Sequence, residues 1–315
     1  MMRYRRLGRT GLDISVCTLG TAGLGGRALD DAEVRKTWAQ AIERGVNALE
    51  LDAASGAAEA VGGILAEAGA RDRVHVLARA SSLVPFDLPS PHIRAQQAYP
   101  GAHIRAECEV LLRGLGVERL GLLILPDWCS EWWHEGDWLL TLASLRDEGK
   151  IAGFGVSLFD HDVEAGLEGA AGGMIDAVQV MYNVFDPQAA ATLLPLCLRR
   201  DVGVIARSPL YHGMLVARTE RPASFPADDW RSEFFLDDHL QETSFRADRL
   251  EALAAQAGIA LSDLALRFSL SHPAVSTVAV GIGSRAHLDA ALAALEQGPL
   301  GGEMLAALAG HKWLC

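Results

Sequence analysis

The sequence predicts a closed (β/α)8 barrel, the TIM-barrel class, preceded by an N-terminal β-hairpin. Eight short apolar segments recur about every 25 to 45 residues, and each is followed by a loop and a helical pattern. Strands that are apolar throughout are typical of parallel sheets buried on both faces. Eight such units in 315 residues favour a closed barrel over an open doubly wound sheet, which is the structural alternative.

The glycines after the first strand are arranged differently from a dinucleotide-binding fingerprint. The stretch Gly20 to Gly26 lacks the spacing G-x-G-x-x-G and leads into Arg27 rather than into a helix. This also disfavours the open-sheet alternative. We therefore treat residues 1–315 as one barrel domain.

Each element follows from a local pattern. Arg3 to Leu7 and Leu12 to Thr18 flank a Gly-rich turn and predict the hairpin. The barrel strands are predicted at Val16–Gly20, Val46–Leu51, Arg73–Arg79, Leu120–Leu125, Ile151–Ser157, Ile175–Met181, Val202–Ala206 and Val275–Val280. The helices are predicted from a cap at Asp30-Asp31 to Arg44 and over Ala57–Ala68, His103–Leu115, Trp138–Glu148, Asp162–Ala170, Gln188–Arg199, Phe245–Ala257, Leu261–Leu270, Arg285–Leu295 and Gly302–Ala309.

Two long connections interrupt the regular alternation of strands and helices. Ala80 to Ala102 contains Pro85, Pro89, Pro91 and Pro100, which predicts neither helix nor strand. Loops of this length are typical of lids or binding loops. Pro209 to Ser244 is predicted to be irregular.

Composition limits the class of protein. A formal net charge of -12 argues against nucleic acid or an anionic membrane as a partner. The five cysteines are scattered, in no metal-ligand spacing, so reduced thiols and no metal site are expected. The N-terminus has no signal-peptide pattern, and no apolar run reaches the roughly 20 residues of a membrane span. These features predict a cytoplasmic enzyme with a small-molecule substrate and leave its oligomeric state open.

Seven stretches, in the right order and spacing, resemble the aldo-keto reductases, a family of NADPH-dependent barrel enzymes. They are RRLGRTGLDIS, GVNALELDAASG, IRAECEVLLRGLG, DEGKIAGFGVS, AVQVMYN, IARSPLYHGML and HPAVSTVAVGIGSRAHLD. The resemblance covers nearly the whole chain. It implies the same barrel and, as an expectation, reduction of a carbonyl or oxidation of an alcohol with NADP(H).

The residues that would carry that chemistry differ from the family pattern. The family uses an Asp, a Tyr, a Lys and a His at the C-terminal ends of barrel strands two to four. The corresponding positions hold Glu50, Ser55, Arg79 and Pro126, or a neighbour of Pro126. Glu50 and Arg79 have the same charges as an Asp–Lys pair and could form a similar ion pair. A serine is a far weaker acid than a phenol, and an arginine stays protonated, so the usual proton donor is absent.

Other groups at the mouth are candidate acids or bases. Asp52 shares strand parity with Glu50, so both are expected to point inward and could share a proton; the alternative is that Asp52 caps a loop amide. Tyr211 and His212 follow the seventh strand, and His134 lies in the loop after the fourth. Each of these three could also be a partly exposed loop residue.

The resemblance implies a cofactor site that is partly retained. Ser157 and Gln179 match family residues that hold the nicotinamide amide, whereas Leu158 stands for an Asn and Arg207 for a stacking Tyr. The pyrophosphate loop is expected to present backbone amides from Ser208, Leu210 and Gly213. At strand eight the expected cofactor residues are Gly281, Gly283, Ser284, Arg285 and Asp289. The alternative is that these motifs persist because they build strand ends and turns.

Three functions stay open. The first is a divergent NADP(H)-dependent oxidoreductase acting on a small or biosynthetic carbonyl or alcohol. The second is a non-redox lyase, dehydratase or isomerase in which Glu50, Asp52 and Arg79 handle an anionic substrate. The third is a catalytically inactive binding or regulatory protein. Trp128, Trp132 and Trp133 could line an aromatic or apolar substrate pocket or could pack the loop on the barrel rim.

Overall fold

The protein is described from a computed structural model that covers residues 1–21, 24, 28–84, 93–236 and 238–313. Arg27, Pro85, Pro89, Pro91 and Cys315, which the sequence singled out, lie outside the described residues. The ten described strands are β1 (Tyr4–Arg6), β2 (Asp13–Ser15), β3 (Cys17–Gly20), β4 (Ala48–Asp52), β5 (His75–Arg79), β6 (Leu120–Trp128), β7 (Ile151–Leu158), β8 (Ala177–Met181), β9 (Gly203–Arg207) and β10 (Val275–Gly281).

Strands β3 to β10 form a closed, all-parallel barrel in chain order, with β10 pairing β3. Strands β1 and β2 form the antiparallel hairpin, in the register Tyr4↔Ser15 and Arg6↔Asp13. Both features confirm the predicted (β/α)8 barrel and its N-terminal hairpin. All eight predicted barrel strands occur, each displaced by three residues or fewer at either end.

Helices surround the barrel. They are α1 (Ala32–Glu43), α2 (Ala58–Glu67), α3 (Ala95–Ala98), α4 (Gly101–Leu115), α5 (Trp138–Asp147), α6 (Leu167–Gly172), α7 (Leu193–Arg200), α8 (Arg231–Phe234), α9 (His239–Gln256), α10 (Leu261–Ser271), α11 (Arg285–Gln297) and α12 (Gly302–Leu308). The predicted cap at Asp31 is present, because its carboxylate accepts from the amides of Glu33 and Val34.

Two predictions about irregular segments were wrong in part. The Pro-rich loop contains α3, and the segment after β9 contains α8 and the first turns of α9, which begins at His239 rather than Phe245. In both places side chains of the segment pack on the barrel: Ala95, Ala98 and Phe235 are buried. Burial of an apolar face stabilises a short helix that sequence preference alone would leave unformed.

The barrel interior has an apolar floor. Ala48, Leu77, Ala177 and Ile205, one from each of four strands, form a buried cluster that the hairpin residue Leu7 joins from below. Because side chains alternate along a strand, residues two positions further on also point inward, one layer higher. That higher layer carries the polar groups described next.

Among the described residues no single helix is long and apolar enough to cross a membrane. Helices α9 and α10 meet that criterion only as a pair bent by 90°.

Candidate active site

The polar layer begins with a buried pair, Glu50 on β4 and Gln179 on β8. Gln179 Nε2 donates to Glu50 Oε2 at 2.5 Å, with both residues almost fully buried. Burial raises the pKa of Glu50, while Arg79 and the bond from Gln179 oppose the rise. The second polar atom of Gln179, Oε1, is buried and accepts no hydrogen bond from the described residues. The layer thus contains an acceptor without a donor.

Arg79, at the end of β5, is the central cation of the layer. It pairs in register with Asp52, and its Nη1 lies 3.8 Å from Asp52 Oδ2. Burial alone would lower the pKa of Arg79, but Glu50, Asp52 and Asp127 outweigh it, and the pKa is raised. Its Nε is buried and has no partner in the described part of the chain. Arg79 is therefore a fixed charge that cannot relay a proton.

Asp52 and Ser55 form a local turn. Asp52 Oδ1 accepts from the amide of Ala54 at 3.0 Å, and Ser55 Oγ donates to the carbonyl of Asp52 at 2.5 Å. Asp52 therefore caps a loop amide, as the alternative interpretation expected. Its second carboxylate oxygen, Oδ2, faces Arg79. The hydroxyl proton of Ser55 is already committed to the backbone, so this serine does not offer it to a ligand in this conformation.

Arg207, at the end of β9, reaches across to the end of β7. Its Nη2 donates to the carbonyl of Leu158 at 2.7 Å, and its Nη1 lies 2.5 Å from Asp160 Oδ1. His212 Nε2 lies 3.8 Å from the other oxygen of Asp160. Burial lowers the pKa of His212 to about 4, so its ring is neutral at pH 7. This arginine, carboxylate and imidazole form a second group of polar side chains at the mouth.

Two candidate acids lie away from this layer. Tyr211 is fully buried, and its hydroxyl lies 3.3 Å from His239 Nε2, within an aromatic cluster that includes Phe185. His134 is 75% exposed and pairs with Glu168 on the surface. Neither has a described contact with Glu50, Arg79 or Arg207.

In the loop expected to bind a pyrophosphate, residues 208–215, several backbone amides donate hydrogen bonds to carbonyls of the same loop. The amides of Gly213 and Leu215 both donate to the carbonyl of Leu210. The amide of Gly213, which was expected to face a phosphate, is therefore bound within the turn in this structure. Ser208 has a positive φ of 53°, and its carbonyl accepts from Asn183 Nδ2 at 3.0 Å.

The strand-eight motif has clear structural roles. A Cβ at Gly283 would lie 2.2 Å from the carbonyl oxygen of Leu24, so the turn requires glycine there. Ser284 caps α11 by accepting from the amide of His287. Gly281 ends β10 opposite Gly20.

Arg285 and Asp289, the other expected cofactor residues at this motif, pair with each other on the surface. The Nε of Arg285 donates to Asp289 Oδ2 at 2.9 Å, and its Nη1 donates to Gln40 at 2.7 Å. Arg44 binds the same carboxylate. Both side chains are exposed on α11, so a ligand could compete with these surface contacts.

The tryptophans of the loop after β6 are part of the core. Trp128, Trp132 and Trp133 are at most 3% exposed, and the ring of Trp128 contacts those of Trp132, Trp133 and Trp138 with centroids 4.8 to 5.5 Å apart. Trp132 and Trp133 donate to the carbonyls of Ile93 and Ala165. The packing alternative therefore holds for the three rings, while the Nε1 of Trp128 is buried without a partner in the described part of the chain.

Sequence reasoning did not name two residues near the mouth, although it allowed for a neighbour of Pro126. Asp127 follows Pro126 at the end of β6, and a polar residue at the C-terminal end of a barrel strand was the signal that could have found it. Tyr99 comes from the Pro-rich loop and offered no such signal. Its hydroxyl donates to the carbonyl of Pro126 at 2.7 Å, and burial raises its pKa well above the usual value. The described residues contain no group of His, Cys, Asp and Glu that could hold a metal ion.

The family model described as "Aldo/keto reductase family" matches residues 17–312. The chain belongs to this family. It is 25% identical over 301 residues to aldo-keto reductase YhdN of Bacillus subtilis (strain 168), covering 92% of this chain and 87% of that protein. It is 24% identical over 318 residues to a probable voltage-gated potassium channel subunit beta of Arabidopsis thaliana, covering 95% and 93%.

Solved structures of aldo-keto reductases share the fold of this family member. The holo form of AKR11C1 from Bacillus halodurans superimposes with a TM-score of 0.77 at 20% identity, covering 99% of this chain and 97% of that chain. The glycerol dehydrogenase AKR11B4 from Gluconobacter oxydans gives a TM-score of 0.77 at 24% identity, covering 98% and 94%. Aldo-keto reductases typically use NAD(P)H and act on small molecules, which defines the class of activity to be considered for this chain.

Proposed function

We propose that this aldo-keto reductase family member is an NADP(H)-dependent oxidoreductase of a small carbonyl compound or alcohol, with a proton donor other than a phenol. Membership of the family supports the reaction class. The composition of the mouth supports the unusual donor, because a serine and an arginine, Ser55 and Arg79, occupy the positions where the resemblance implied a tyrosine and a lysine. A cytoplasmic location and a single domain over residues 1–315 are part of this proposal.

The observation that carries the proposal is the orphaned acceptor of Gln179. Its Oε1 is buried among polar groups without a donor, and Ser157 is its register partner on β7. An unsatisfied buried acceptor costs about 1–3 kcal/mol, so a ligand that donates to it is favoured. The amide group of a nicotinamide is such a donor. Gln179 and Ser157 therefore fit the group that the resemblance assigns to them.

Arg207 is compatible with the same ligand. The guanidinium is held at its edge by Asp160 and by the carbonyl of Leu158, which keeps its flat face for stacking. Planar guanidinium groups stack on aromatic rings, so Arg207 would take the role of the family's tyrosine beside the ring. The cofactor supplies a hydride when bound. Beneath the bound ring, Arg79 and Glu50 supply the charged groups of the polar layer. The walls of the barrel exclude water from this layer.

The proposal is tested by adding NADPH and a panel of small carbonyl compounds, namely a 2-oxoaldehyde, a hydroxyaldehyde, an aromatic aldehyde and an ortho-quinone, and following the absorbance of the reduced cofactor. We expect oxidation of NADPH with at least one compound and the corresponding alcohol as product. Saturable cofactor binding without turnover of any compound would instead favour a regulatory role. Similarity to a probable potassium channel subunit beta is the observation behind that second candidate.

The non-redox alternative is less well supported by the charges of the mouth. Both arginines are already paired, Arg79 with Asp52 and Arg207 with Asp160. An anionic substrate would therefore have to displace a carboxylate of the protein from an arginine. Turnover of an anionic compound in the absence of NADP(H), abolished by Glu50→Gln, would nevertheless establish it.

A further inference from the structure

The end of β6 has an unusual backbone. Asp127 adopts a positive φ of 54°, and the register with β7 shifts between Leu125 and Trp128. A shift of this kind bends a strand and redirects a side chain, and such bulges occur preferentially beside active sites. The hydroxyl of Tyr99 holds the carbonyl of the preceding Pro126 from below. The position of Asp127 is therefore fixed by its neighbours.

The charged groups that act on Asp127 come from both sides of the barrel. They are Arg79 on β5, Arg207 on β9, Asp52 on β4 and Asp160 in the loop after β7. Asp127 directly precedes Trp128, which pairs with Leu158 at the end of β7, so Asp127 lies at the C-terminal rim of the barrel. Among the described residues its side-chain oxygens make no hydrogen bond and no ion pair within 4.0 Å. Its carboxyl group is therefore not committed to a neighbour among these residues.

The other candidate acids are each held by a hydrogen bond to a neighbour or lie away from the mouth. Glu50 accepts from Gln179 in a buried pair, and Asp52 accepts from a loop amide. Ser55 donates to the backbone. Tyr211 points into the aromatic cluster, and His134 lies on the surface.

We propose that Asp127 is the catalytic proton donor of the oxidoreductase reaction, with the charge of Arg79 acting on it from the end of β5. In reduction, a bound nicotinamide cofactor would supply a hydride to the carbonyl carbon, and the π electrons would move to the carbonyl oxygen. That oxygen takes the proton from the carboxyl group of Asp127, which becomes a carboxylate and is reprotonated from solvent. In oxidation, the carboxylate accepts the hydroxyl proton. This inference rests on the proposed function.

The electrostatics agree with this role. Burial raises the pKa of Asp127 above its usual value, while Arg79 and Arg207 lower it and Asp52 and Asp160 raise it. A carboxyl group that retains its proton closer to neutral pH can act as a general acid, a role that contributes about 10²–10⁴-fold to rate. The rate of reduction should therefore fall as pH rises through the pKa of Asp127.

The test compares Asp127→Asn with Asp201→Asn. Asp201 has the same φ of 54°, but it precedes the N-terminal end of β9, away from the mouth, and forms an exposed ion pair with Arg6. Asparagine is tolerated in that backbone conformation. We expect Asp127→Asn to lower kcat for the best carbonyl of the panel by about 10²–10⁴-fold. The Kd for NADPH should be unchanged, and infrared pH-difference spectra should lose one titrating carboxyl band. Asp201→Asn should keep both activity and that band.

The outcomes separate the inference from the proposed function. If the unmodified protein turns over a carbonyl and Asp127→Asn stays within fivefold of it, the inference is overturned and the function stands. If the unmodified protein neither binds NADPH nor turns over any carbonyl, both fall. Should Asp127→Asn fail to fold, the pH profile of the unmodified protein decides. A kcat for reduction that declines with rising pH supports Asp127, and one that is flat or rising between about pH 5 and 9 overturns it.

Discussion

Replacing Trp133 by alanine should destabilise the protein strongly without removing cofactor binding. The indole is 3% exposed, packs between Trp128 and Trp138, and donates to the carbonyl of Ala165. A buried indole removes about 150–250 Å² from water, which at about 25 cal/mol per Å² corresponds to about 4–6 kcal/mol. Measured losses for Trp→Ala in cores are about 3–5 kcal/mol. We therefore expect the free energy of unfolding to fall by about 4 kcal/mol.

Urea unfolding followed by far-UV circular dichroism measures this change. Trp230→Ala is the matched control, because Trp230 is 57% exposed, and it should change the free energy of unfolding by less than about 1 kcal/mol. The core assignment would be refuted if Trp133→Ala cost less than 1 kcal/mol and instead weakened binding of an aromatic carbonyl compound. That result would restore the substrate-pocket interpretation of the tryptophans.

Two further predictions concern stability. Burial lowers the pKa of His212 to about 4, so the unfolded state binds the extra proton first as pH falls, and stability is lost between about pH 6.5 and 4. His212→Asn should remove up to about 3 kcal/mol of that loss, measured as the difference between the free energies of unfolding from urea curves at the two pH values. If both proteins lost the same free energy between these pH values, the prediction would be contradicted. Gly8→Ala combines a φ of +51° with a Cβ 2.2 Å from the amide nitrogen of Gly203, so it should cost at least about 2 kcal/mol in thermal unfolding. Its control, Gly11→Ala, has a φ of +76° but open space around the Cβ and should cost about 1 kcal/mol; equal losses would rule out the predicted clash.

The strands were predictable because each is a continuous apolar segment ended by small or polar residues. Glu50 and Arg79 were identified through the resemblance, as the residues at the positions of the family's Asp and Lys, and both lie on barrel strands in the structure. The hairpin was predictable from its Gly-rich turn. These features depend on neighbours in sequence, which a local pattern records.

Contacts between distant segments were not predictable. The sequence left open whether Trp128 and its neighbours line a pocket, because the helix of Trp138 and the carbonyl of Ala165 that bury them lie elsewhere in the chain. Tyr99 reaches the mouth only through its bond to Pro126. The sequence likewise did not show that the amide of Gly213 donates to the carbonyl of Leu210 within its own turn. A motif records residue types but not which hydrogen bonds the turn satisfies internally.

The most direct test of the account is a fluorescence titration of the protein with NADPH, repeated with Gln179→Leu. Gln256→Leu, at the exposed end of α9, is the control. We expect saturable binding for the unmodified protein and the control, and about tenfold weaker binding for Gln179→Leu, because one hydrogen bond of about 1.4 kcal/mol is lost. Absence of saturable binding by the unmodified protein at millimolar NADPH would contradict the central claim that this barrel is an NADP(H)-dependent oxidoreductase.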